Sequence, residues 1–142
     1  MRYLLVLVLL VAGCATRDEP APSPVPAPAP APRQENVAIA GLMDSARADA
    51  AAGRFPNAAA SLERALRIEP RNPRLWQELA RVRLKQGQNV QAEDFAARSN
   101  SWAGDDAALR ADNWRLIAQA RQGRGDSEGA RAALEAAART GR

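Results

Sequence analysis

LMDSARADAAAGRFPNAAASLERALRIEPRNP, residues 42–73, decides the fold. It reads as a small-residue helix, a turn at Gly53, a second helix opened by Phe55-Pro56, and a stop at Pro70. Proline is tolerated in a helix's first turn, where its missing N–H has no partner to lose. Leu42, Met43 and Ala46 share one face of the first helix, expected over residues 37–52. Ala58, Leu62, Ala65 and Leu66 share one face of the second. Asn72-Pro73 then supplies an N-cap and a first-turn proline for a third helix. One hairpin of this size cannot bury its own apolar face, so the fold requires copies.

The copies are present. Leu42, Ala46, Gly53, Ala58, Leu62 and Ala65 are answered 34 residues later by Trp76, Ala80, Gly87, Ala92, Ala96 and Ser99. A third set follows after a four-residue insertion: Trp114, Ala118, Gly125, Ala130, Leu134 and Ala137. This pattern resembles the tetratricopeptide repeat over residues 39–140: a large residue, a small one four later, a glycine turn, then Ala, a large residue, Ala and a closing Pro. The resemblance implies an all-α chain of three tetratricopeptide-like hairpins, about 39–72, 73–106 and 111–142, in a short right-handed α-solenoid. Ala46, Ala80 and Ala118 sit where paired helices cross, facing Ala58, Ala92 and Ala130. A large side chain there forces the helices apart, at a cost of about 1–3 kcal/mol. Trp76 and Trp114 take the large inward position and are expected in the core.

The second copy departs from the pattern. Gly104 stands where its closing proline belongs, and Ala96 is small where a bulky residue is usual. Repeat two is therefore expected to pack loosely at its far end, with its second helix free to run on into the insertion. Trp102, in SNSWAGDD, lies outside the pattern and either plugs the gap left by Ala96 and Ser99 or offers an exposed aromatic anchor to a partner. Asp105 and Asp106 suit the first turn of a long helix reaching Ala120.

Composition narrows the chemistry. The chain of 142 residues has no histidine and a single cysteine, Cys14, which removes Cys/His metal sites, internal disulfides and any histidine-based nucleophile scheme. No carboxylates group as a catalytic pair, so neither an enzyme, a metal site nor a cofactor is expected. The net charge of +4 resides almost wholly on arginine. It could suggest nucleic acid, but the N-terminus argues for the cell envelope.

Residues 1–13, MRYLLVLVLLVAG, have a basic start and an apolar run too short to span a bilayer, the form of a cleaved signal peptide. Val11-Ala12-Gly13-Cys14 resembles the lipobox of bacterial lipoproteins, in which the cysteine becomes the lipidated first residue of the mature chain. Each buried methylene contributes roughly 0.8 kcal/mol, and several acyl chains together hold firmly. In that family Ala15, rather than Asp, after the cysteine implies the outer membrane, facing the periplasm. Residues 14–35 carry proline at every second position from Pro20 to Pro32, a disordered Pro/Ala-rich tether reaching about 60–70 Å if extended. Residues 36–142 are expected to fold.

In tetratricopeptide arrays the first helix of each repeat lines a concave groove. The matching positions here are Met43 and Arg47, then Arg74, Gln77, Arg81, Leu84 and Lys85, then Arg115 and Gln119. They make a basic, partly apolar trough suited to an acidic or carboxylate-bearing peptide, and equally describe the solvated face of an arginine-rich protein. The Lys/Asn clamp that some relatives use to read chaperone C-termini is absent: Met43, Arg47, Glu78, Asp112 and Leu116 hold those positions.

A lipobox, a Pro/Ala spacer and a small tetratricopeptide domain together resemble the outer-membrane lipoproteins that activate bifunctional penicillin-binding proteins. The resemblance implies a lipid-anchored periplasmic scaffold whose partner is such a synthase, with no nucleic acid and no small-molecule substrate. Two other readings stand beside it: a pilotin-like assembly factor for a secretin or other envelope complex, and direct binding of an anionic surface polymer through the arginines, which salt would weaken steeply.

Overall fold

The computed structural model describes residues 32–141, with side chains from Val37 onward. The signal segment, Cys14 and nearly all of the tether lie outside the described residues. Among the described residues six helices follow one another: α1 (Pro32–Ala51), α2 (Phe55–Ile68), α3 (Pro73–Lys85), α4 (Asn89–Trp102), α5 (Ala107–Gly123) and α6 (Ser127–Thr140). No strand occurs among the described residues, and no helix there is long and apolar enough to cross a membrane. The helices pack as three hairpins, α1 with α2, α3 with α4, and α5 with α6. Each hairpin then stacks on the next through α2 against α3 and α4 against α5.

Local chemistry places these boundaries. Gly53, Gly87 and Gly125 turn the three hairpins with φ of 74°, 73° and 82°, a left-handed conformation that side-chain-bearing residues rarely adopt. Asn72 caps α3: its Oδ1 accepts from the N–H of Arg74 (3.0 Å) and of Leu75 (3.4 Å), and its Nδ2 donates to Glu69 (2.7 Å). Asp106 caps α5 by accepting from the N–H of Leu109 at 2.9 Å, which explains its acidic start. α1 begins at Pro32, five residues earlier than its apolar pattern suggests, and a proline at the first helical position loses no hydrogen bond.

The small residues do what the repeat requires. Ala58, Ala80 and Ala92 are fully buried, and Ala46, Ala118 and Ala130 nearly so. A first core surrounds Leu62, Leu75 and Leu79, and a second joins Ala80 and Ala96 to Leu116 and Ile117. Phe95 packs against both, so the two cores meet across the three hairpins.

Three expectations are corrected. α4 does not run on: it stops at Trp102, and Gly104, at φ 53°, turns the chain. Its far end is not loose either. Ala96 and Ser99 are fully buried, because α5 closes over them with Leu116, Ile117 and the side chain of Asn113. Trp76 and Trp114 are only half-buried, each laying one face on the core. The sealed positions fall one residue earlier, at Leu75 and Asn113. Leu134 repeats the position of Leu62, yet it is 52% exposed against 1% for Leu62. α3 packs over α2, whereas among the described residues no helix follows α6.

Candidate partner-binding groove

On α3, Glu78, Arg81, Val82 and Lys85 recur at i, i+3, i+4 and i+7, so they share one face. That face divides two compartments. On the α1 side a hollow of about 150 Å³ is lined by Met43, Ala46, Arg47, Ala50, Leu62, Glu78 and Val82. On the α5 side a hollow of about 240 Å³ is lined by Arg81, Leu84, Lys85, Leu116 and Gln119. Gln119 also borders a third hollow of about 430 Å³, formed with Arg115, Ala118, Gln122, Ala130 and Leu134. The three run along the first helices of the hairpins.

The charges within this trough differ in availability. Arg47 pairs with Asp44 at 3.5 Å and Arg115 with Asp112 at 2.5 Å, each one turn away on its own helix and well exposed. Such pairs contribute about 0.3–0.5 kcal/mol, so an incoming carboxylate exchanges with them at little cost. Arg81 and Lys85 are exposed and have no carboxylate partner among the described residues. They stand over Leu84 and Leu116, giving one cationic compartment with an apolar floor. Half-buried Glu78 puts one acid into the neighbouring hollow, so the trough changes sign along α3. Arg47 and Arg81 therefore line adjacent compartments rather than a single cationic one.

Two residues expected in the groove lie elsewhere. Gln77 is 6% exposed, and its Nε2 donates to Asn113 Oδ1 at 3.0 Å inside the α3–α5 contact. Gln77 stands about 100° around α3 from Glu78, which turns its side chain from the groove toward α5. Arg74 reaches out of the groove to Asp106 at 3.2 Å, tying the start of α3 to the cap of α5. Sequence reasoning missed Val82 as groove lining. Its signal was present, since it lies four residues after Glu78 on the groove face.

Trp102 does not plug the gap, which Asn113 fills. It is 43% exposed with the Arg71 guanidinium 5.1 Å above its ring.

A family profile for the tetratricopeptide repeat matches residues 49–111. Among solved structures, the globular C-terminal domain of P. aeruginosa LpoP is 46% identical, with a TM-score of 0.69; the match covers 70% of this chain and 94% of that one. No curated protein matches the sequence.

Proposed function

This chain belongs to the family of the LpoP globular domain, and on that premise we propose that it is a lipid-anchored periplasmic scaffold that activates a bifunctional penicillin-binding protein. The observation that carries the reading is identity of 46% across nearly the whole of that domain, joined to a lipobox and a proline tether in one chain. The tetratricopeptide domain is a protein-binding scaffold rather than a catalyst, and its partner is the synthase. Cys14 anchors the mature chain in the outer membrane, and residues 14–35 carry the domain toward an inner-membrane partner. Without the anchor the local concentration of domain near the wall collapses. Cys14→Ala is expected to move the protein from the membrane to the soluble periplasmic fraction. Persistent membrane fractionation would rule out lipidation as the anchor.

The binding face is the groove, centred on Arg81 and Lys85, with Met43, Arg47, Arg115 and Gln119 along its length. Two unpaired cations over an apolar floor suit an acidic side chain flanked by an apolar one. Reversing both, as Arg81→Glu with Lys85→Glu, leaves the core untouched and is expected to raise the Kd for the synthase at least about tenfold. Surface plasmon resonance against the purified synthase measures this. An unchanged Kd excludes the groove as the binding face while leaving the family assignment intact.

A further inference from the structure

We propose that the α2–α3 turn and the last turn of α4 form a second docking surface, for an acidic protein segment that carries an apolar side chain. This surface shares no residue with the three groove compartments. It lies at the join after α4, whose four residues, 103–106, match the four between α2 and α3; the extra residues of the third copy lengthen α5 instead, to 17 residues against 13 in α3.

Its chemistry begins with two arginines laid on two tryptophans. The Arg71 guanidinium lies 5.1 Å from the centre of the Trp102 ring, and that of Arg98 lies 4.8 Å from Trp76. Arg98 and Trp102 are four apart on α4, hence on one face. The Trp76 indole N–H donates to the carbonyl of Pro70 at 2.8 Å, which fixes the turn that carries Arg71. A stacked guanidinium uses its face for the ring and keeps its N–H edge for a ligand. Neither edge is used: among the described residues, neither guanidinium donates to a carboxylate.

Two acids of the same region are engaged elsewhere. Glu69 is held by Asn72 at 2.7 Å and Asp106 by Arg74 at 3.2 Å. Arg71 also lines an open hollow of about 620 Å³ running from Ile68 to Arg74. Ile68 is 40% exposed and Trp102 43% exposed, leaving apolar surface uncovered beside fixed cations. Tryptophan and arginine dominate the energetic centres of protein interfaces, and planar forks match carboxylates in a bidentate manner. A flat anionic membrane is held by the number of cations facing it. Two oriented forks, one of them, Arg71, lining an open hollow, fit a protein segment instead.

The test needs no synthase, so its result is independent of the function proposed above. Residues 32–142, whose described helices stack as three successive hairpins, are titrated with a synthetic Glu/Leu/Phe peptide, its Gln-for-Glu counterpart, and vesicles containing anionic phospholipid. The indole N–H resonances are followed by NMR. The acidic peptide is expected to shift the Trp102 signal, the Gln peptide to leave it in place, and Arg71→Gln with Arg98→Gln to weaken binding at least about tenfold with the melting temperature retained. A Trp102 signal unmoved by the acidic peptide, equal binding of the Gln peptide, binding by vesicles alone, or full affinity in the double variant overturns the proposal.

Discussion

Ala80→Arg abolishes the cooperative unfolding transition of the domain. Ala80 is fully buried among Ala96, Leu116, Ile117, Ala118 and Ala133, in the core shared by the second and third hairpins. An arginine there must first force the helices apart, costing about 1–3 kcal/mol. It then strands a charge with no acid in that cluster to meet it, adding several kcal/mol more. Domains of this size are stable by only about 5–15 kcal/mol, so the two costs together consume most or all of that margin. Circular dichroism is expected to show lost helicity or a broad, non-cooperative melt. A sharp transition within about 4 °C of the parent contradicts the repeat register, since that is the shift of about 1 kcal/mol.

Asn113→Ala is the second large effect, and it tests the polar centre of the same contact. Asn113 is fully buried and satisfied on both sides of its amide. Its Oδ1 accepts from Gln77 Nε2 at 3.0 Å, and its Nδ2 donates to Ser99 Oγ at 2.7 Å and Asn100 Oδ1 at 3.0 Å. Ser99 in turn donates to the carbonyl of Pro73 at 2.7 Å, so one amide links α3, α4 and α5. Truncation leaves the buried Gln77 N–H without its acceptor, and each such orphan costs about 1–3 kcal/mol. The melting temperature is expected to fall by about 10–20 °C. Replacing both partners, as Gln77→Leu with Asn113→Leu, removes the orphan and is expected to recover most of the loss. A single-variant shift under about 4 °C contradicts the ladder.

What the sequence displays is whatever the backbone demands at a fixed interval. Gly53, Gly87 and Gly125 must adopt positive φ at equivalent turns, and Ala46, Ala80 and Ala118 must let helices cross. These requirements recur with the repeat, so the fold is legible in the order of residues alone. Gln77 and Asn113 are different. Their bond spans 36 residues and two hairpins, and a glutamine beside groove positions looks like groove lining. One clue lies in the register: Asn113 occupies the position of Leu75, a core position, where an unpartnered amide would be costly. The groove is half legible for a related reason. Helical spacing assigns faces to within about one residue, and a step of about 100° separates Arg81, open to solvent, from Ala80, wholly enclosed. Long-range ion pairing is beyond the sequence: Arg74 and Arg81 look alike until Asp106 takes one of them.

The most direct measurement is the rate of glycan-strand synthesis by a purified bifunctional penicillin-binding protein, with and without residues 32–142 of this chain. The domain is expected to raise the rate, and the Arg81→Glu, Lys85→Glu form to lose that effect while keeping its melting temperature. A synthesis rate that the intact, folded domain leaves unchanged contradicts the account.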